Sequence, residues 1–255
     1  MNSFLEQAGL WFLNSGIQEP EGGVARYYVC DPGQNAPVST EITGYAVSAL
    51  FYLHSRTGAP GYLDAGLRAA RYLTCKAWGY ANSAFPFEPD SALAYFFDTG
   101  IVVRGLLAAW RATGEEIFRQ RAREGALSLA FDFMGAENGA FHPVISLPEK
   151  QPLPHEKRWS RSPGCYQLKS ALAWRETGDE HAAKLYESVL AYSLATHECF
   201  LDSRREDAMD RLHAYCYFLE ALLPVADRPA IRAAIETGVS RASALFREIA
   251  PEFER

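Results

Sequence analysis

Residues 44–58, "GYAVSALFYLHSRTG", align without a gap with residues 100–114, "GIVVRGLLAAWRATG", and with residues 164–178, "GCYQLKSALAWRETG". Each copy opens on glycine, runs through an apolar stretch and closes on Thr-Gly, with an arginine directly before the Thr in the first copy and two before it in the other two. A fourth copy, "HAYCYFLEALLPVADR" (213–228), keeps the apolar pattern without the glycines. Self-similarity at this spacing marks a repeat architecture. In the first copy Tyr45, Val47, Leu50, Phe51 and Leu53 leave no wide polar face, and Ile101, Val102, Leu106, Leu107 and Trp110 do the same in the second. A helix that is apolar on nearly all sides is buried on most of them.

A different pattern follows each Thr-Gly. Tyr62, Ala65, Ala69 and Leu73 recur at helical spacing while Asp64, Arg68 and Arg71 face elsewhere. Phe118, Ala122, Leu129 and Phe133 form a second such stripe, and Ile231, Ile235, Ala242, Leu245 and Ile249 a third. These are surface helices with one buried stripe. Glycine suits the left-handed position at a helix C-terminus, and a turn that short returns the chain antiparallel. The expected fold is therefore all-α: an α/α toroid of alternating inner and outer helices, with an extra outer helix over about residues 2–15. Roughly nine helices in one domain over residues 1–255 predict a short or incomplete ring.

Longer connections separate the repeats, at 16–40, 79–95, 135–163 and 197–210. Each runs from an outer helix to the next inner one, so the four are expected on one face, as a rim around a cleft. Connections of this length are usually functional.

Bulk properties narrow the classes. Apolar residues are 48% and charged residues 22%, as in an ordinary globular protein. A net charge of −6, with basic residues scattered apart from pairs such as Arg204-Arg205, argues against a nucleic-acid binder. Five widely spaced cysteines without a C-x-x-C pair fit reduced thiols in the cytoplasm. The opening "MNSFLEQAGLWFLNSG" has no basic leader, and no apolar run reaches the ~20 residues that span a bilayer. His142 and His155 stand beside prolines without ligand spacing, so neither a metal nor a cofactor is expected, and oligomeric state is left open.

The stretches "EGGVARYY", "STEITGY", "AFPFEPDSALAYFFDTGIVVRGLLAAWRATG" and "RLHAYCYFLEALL" together resemble a poorly characterised bacterial family of α/α-toroid proteins. The resemblance covers roughly residues 10 to 225. Members of that family resemble terpene-cyclase-type and six-hairpin-glycosidase-type toroids and accompany polysaccharide-synthesis genes. Similar toroids carry glycoside hydrolases, uronate lyases, sugar epimerases and terpenoid cyclases. The resemblance implies the fold and leaves the reaction open among these.

Glu41, Asp98, Arg161 and His213 stand where the four inner helices are expected to begin. Helix N-termini favour anions, so Glu41 and Asp98 are expected to stay ionised unless their surroundings raise a pKa. Glycoside hydrolysis uses two carboxyl groups flanking the scissile bond. Neighbouring inner helices ~8–10 Å apart would place Glu41 and Asp98 at a separation suited to inversion. Asp98 before Thr-Gly also reads as an ordinary N-cap, whereas glutamate is a poor one. His213 is a candidate proton-transfer group or a core histidine. Trp159 and Arg161 suit stacking and clamping a sugar, or a solvated basic loop. Tyr28, Phe87 and Tyr95 are loop aromatics suited to sugar faces; Tyr45 and Tyr215 fit either site or core.

Glycoside hydrolysis through Glu41 and Asp98 is the leading expectation. A uronate lyase or epimerase, using Tyr28 or Tyr95 with Arg161 and His213, is the second, and a non-catalytic glycan-binding protein the third. A terpenoid cyclase ranks below them, because no D-x-D-D element is present.

Overall fold

The computed structural model describes residues 3–135, 139–201 and 207–250. Residues 202–206, which include Arg204-Arg205 and the middle of the expected 197–210 loop, lie outside the described residues, as do 136–138 of the 135–163 loop. The chain divides into two compact units: Met1–Asp132 with Val144–Gln151, and Phe133–Pro143 with Pro152–Arg255.

The first unit holds α1 (Ser3–Asn14), β1 (Tyr28–Val29), β2 (Gln34–Asn35), α2 (Thr40–Thr57) and α3 (Pro60–Tyr72), which runs into a π turn at Leu73–Ala77. It continues with β3 (Leu93–Tyr95), α4 (Phe96–Thr113), α5 (Glu116–Phe131) and β4 (Val144–Ser146). The second unit holds a 3₁₀ turn at Trp159–Arg161, α6 (Gln167–Thr177), α7 (Glu180–Phe200), α8 (Ala208–Leu222), a 3₁₀ turn at Leu223–Val225, and α9 (Pro229–Ile249). The described residues thus contain nine α-helices, and the short strands form only two-stranded antiparallel pairs, β1–β2 and β3–β4.

The Thr-Gly signature ends three helices in the same way. Gly58, Gly114 and Gly178 follow α2, α4 and α6 at φ 70°, 73° and 74°. That left-handed backbone is cheap for glycine and strained for a side chain. The threonine has its own function. Thr113 Oγ1 donates to the Ala109 carbonyl at 2.9 Å and accepts from Glu115 N–H at 3.2 Å. Thr57 does the same between Leu53 and Ala59, at 2.8 and 3.1 Å. One hydroxyl thus joins the last turn of the inner helix to the start of the outer one.

Inner helices α2 and α4 pack at glycine. A Cβ on Gly105 would lie 2.6 Å from the Gly44 carbonyl oxygen, and one on Gly44 would lie 2.9 Å from Val102 Cα. These two glycines let backbone meet backbone one turn or two beyond Glu41 and Asp98. On the outer helices the expected stripes are buried: Tyr62, Ala65 and Ala69 on α3, Phe118, Ala122 and Leu129 on α5, and Ile231, Ala242 and Ile249 on α9.

Three expected boundaries differ. α6 begins at Gln167 and not near Arg161, because Pro163 and a tight i→i−3 turn from Gly164 to Tyr166 precede it. Arg161 instead closes the short 3₁₀ turn. His213 is not at a helix start: α8 opens at Ala208, since no Gly or Pro interrupts "AMDRLHAY". The fourth connection is shorter than 197–210, because α7 continues through Phe200 with no breaker to stop it.

Candidate functional site

In the first unit the chain before α2 folds back over that helix's N-terminus. Val24 N–H donates to Thr43 Oγ1 at 2.9 Å, the Thr43 hydroxyl donates to the Ser39 carbonyl at 2.7 Å, and Ser39 N–H donates to the Val24 carbonyl at 3.0 Å. Ser39 is the N-cap, its hydroxyl accepting from Ile42 N–H at 3.3 Å. Serine and threonine of "STEITGY" are thus bracing residues, and their neighbour Glu41 lies in the first turn of α2. Arg26 N–H, hydrogen-bonded to the Pro37 carbonyl at 3.1 Å, sits on the same braced strap.

The second connection meets it there. Phe87 N–H donates to the Leu93 carbonyl at 2.8 Å, and the Phe87 carbonyl accepts from Thr40 N–H at 3.4 Å. The Phe87 and Tyr95 rings lie 4.9 Å apart. The Arg26 guanidinium stands 4.2 Å over the Phe87 ring and pairs with Glu88 at 2.8 Å. β3 then feeds α4 directly, held by β4, with Tyr95 opposite Val144.

Asp98 occupies the third position of α4. Tyr95 is the N-cap and makes no side-chain cap bond, so the capping explanation for Asp98 fails. Asp98 is only 6% exposed, and its Oδ2 has no hydrogen-bond partner among the described residues. Burial pushes this carboxyl well above the usual carboxylate range, and the charge of Glu41 adds to the rise; Arg26 and the residue's own backbone N–H oppose it without reversing it. For Asp98 the surroundings do raise the proton affinity. The helix N-terminus favours its anion, but desolvation outweighs that help.

The structure therefore brings Phe87 and Glu88 against Arg26, Tyr95 against Phe87, and the charges of Glu41 and Arg26 within reach of Asp98. Tyr45, half-buried, lies one turn beyond Glu41 on α2. Tyr28 is exposed on β1, opposite Asn35. The remaining expected residues belong to the second unit. Trp159 packs against Tyr166 at 4.9 Å and against His213 at 5.8 Å, and His213 also meets Tyr217 at 4.7 Å. Arg161 pairs with Glu156 at 2.7 Å. Tyr215 is fully buried, its hydroxyl 2.9 Å from His197 Nδ1.

Sequence reading passed over Arg26 and Glu88. Both lie in stretches that carried the family resemblance, "EGGVARYY" and "AFPFEPD", but charges in connections read by default as solvated. The available signal was their apolar setting, Val24-Ala25 before Arg26 and Pro86-Phe87 before Glu88.

No protein-family profile matches the chain, and no curated protein matches it in sequence. Solved structures do match in fold. Cellobiose 2-epimerase from Spirochaeta thermophila DSM 6192 superposes with a TM-score of 0.71 at 17% identity, over 97% of this chain and 72% of the epimerase. A D-mannose isomerase gives 0.69 at 14% identity, over 97% of this chain and 69% of the isomerase. A reducing-end-xylose-releasing exo-oligoxylanase gives 0.63 at 14% identity, over 91% of this chain and 69% of that enzyme. At these identities the likeness is one of fold, and the fold is the α/α toroid of alternating inner and outer helices.

Proposed function

We propose that the protein is an enzyme acting on a carbohydrate, with Glu41 and Asp98 as its acid–base pair, and that the reaction is hydrolysis of a glycosidic bond. The observation that carries this reading is Asp98: a buried carboxyl whose proton affinity is raised by desolvation and by the charge of a second carboxyl, Glu41. Two carboxyl groups whose environments push their proton affinities apart provide an acid and a base side by side. The acid delivers a proton to the departing glycosidic oxygen while the base takes one from water, so that one C–O bond breaks and another forms. Phe87 and Tyr95 add an aromatic surface beside the pair. The first unit's one histidine, His54, lies at the far end of α2 from Glu41.

Epimerisation or isomerisation is the second reading. It is favoured by the likeness in fold to an epimerase and an isomerase, and the same pair would then move a proton on a sugar carbon. Incubation with neutral oligosaccharides in D₂O, followed by NMR, separates the two. New reducing ends mark hydrolysis, and deuterium on the carbon beside the carbonyl marks epimerisation or isomerisation. If neither appears with gluco-, manno- and xylo-configured substrates, the proposal is wrong.

A further inference from the structure

We infer that the cavity at the tip of the Phe87–Leu93 loop is a second sugar site, holding a further unit of the oligosaccharide on which Glu41 and Asp98 act. The inference rests on the carbohydrate reading of that pair. The cavity measures about 310 Å³, at the lower end of the range for small-ligand sites, which suits a single ring. Pro86, Pro89 and Leu147 give it apolar walls, while Asn82, Asp90 and Ser91 line it with an amide, a carboxylate and a hydroxyl. A sugar ring has the matching character, with apolar C–H faces edged by hydroxyls that both donate and accept. Leu93 N–H donates to Ser91 Oγ at 3.2 Å, which engages that oxygen as an acceptor and not its proton.

Two local irregularities converge on this cavity. Within the loop, Ser91 N–H donates to the Glu88 carbonyl at 3.1 Å, so Pro89 and Asp90 are the central residues of a turn. Asp90 has φ 63°. Glycine or asparagine is favoured at such a position after proline, and glycine would take away the carboxylate that lines the cavity. Residues held in this sparse backbone region cluster at ligand sites. The second irregularity is the π turn at Leu73–Ala77, whose Lys76 and Ala77 join the lining. Such turns are frequent at functional sites. The loop also connects the cavity to the surroundings of the acids. Phe87 and Glu88 lie against Arg26, whose charge reaches Asp98, and the chain continues from them directly into Pro89 and Asp90.

Ligand-observed NMR with cello-, manno- and xylo-oligosaccharides of two to six units tests this. Within any series that binds, longer members should bind more tightly than the disaccharide. Asp90→Gly should weaken the longer members about tenfold, through loss of a charge-assisted hydrogen bond. It should leave disaccharide turnover unchanged and hold or raise the melting temperature, since glycine suits the left-handed backbone. Asn82→Ala should weaken the same longer members. A wild type with no preference for length, or two folded variants that bind every length normally, would overturn the inference. If Asp90→Gly lowers the melting temperature, Asn82→Ala decides, and normal binding by that folded variant overturns it. Turnover unaffected at every length by either substitution would overturn this inference alone. Neither binding nor turnover in any series would remove the carbohydrate reading, and this inference with it.

Discussion

Asp98 and Glu41 differ in how openly the sequence declared them. Glu41 was conspicuous because glutamate is a weak cap before an apolar helix, and Ser39 proves to hold the capping position. Glu41→Gln keeps the shape and one acceptor while removing charge and proton transfer. It should lower turnover ~10²-fold or more with little change in melting temperature; near-normal activity on an identified substrate would rule out an acid–base role. For Asp98 the proton affinity makes a separate prediction. Its folded proton affinity is raised, so the folded state binds more protons than the unfolded state once pH exceeds the ordinary aspartate range. Its contribution to stability is complete below about pH 4 and is lost as pH rises through the folded value. Asp98→Asn removes that slope. Thermal melts from about pH 4 to pH 8 should show the variant gaining on the wild type as pH rises; parallel curves would mean that Asp98 titrates normally.

At the scale of elements, the repeated Thr-Gly is a joint between an inner and an outer helix. Thr113→Ala removes a hydroxyl that bonds on both sides of the turn, and should cost about 1 kcal/mol in denaturant unfolding. Gly105 is a stricter position. A methyl group there would meet the Gly44 carbonyl at 2.6 Å, with backbone atoms on both sides of the contact. Gly105→Ala should destabilise by ~1–3 kcal/mol. Because α2 and α4 carry Glu41 and Asp98, it should also reduce turnover in the fraction that remains folded. Activity unchanged alongside lost stability would mean that the acid pair does not depend on this crossing. The sequence marked Gly44 as a repeat landmark and gave no sign of the importance of Gly105; the reason for both is the neighbouring helix. That is also why α6 and α8 were misplaced at their starts. A helix start with a cap or a preceding strand leaves a local trace, whereas the tight turn after Pro163 and the uninterrupted start of α8 do not.

For the whole molecule, stability should reflect opposite titrations in the two units. His197 is 7% exposed, and burial holds its imidazole below the usual histidine range, with Tyr215 as its hydrogen-bond partner. A histidine with a lowered folded proton affinity contributes stability above the unfolded value of about 6.5 that is lost as pH falls through the folded value. The second unit should therefore weaken on acidification while Asp98 weakens the first on alkalinisation. His197→Gln should flatten the acid limb of a stability–pH curve and leave the alkaline limb as it is; an unchanged acid limb would assign it to other groups.

None of the described helices is long and apolar enough to cross a membrane. What the sequence determined alone was periodic and local: the inner helices by their apolar circumference, the outer helices by their stripes, and the joints by Thr-Gly. These signals repeat, so each copy supports the reading of the others. It also singled out Glu41 and Asp98 by position. Tertiary structure decided the rest. The state of Asp98 depends on how completely α4 is covered, and the engagement of Arg26 depends on two connections meeting across more than sixty residues of chain. Desolvation and charge pairing are properties of what surrounds a group in space, and for these residues most of those surroundings come from distant parts of the chain.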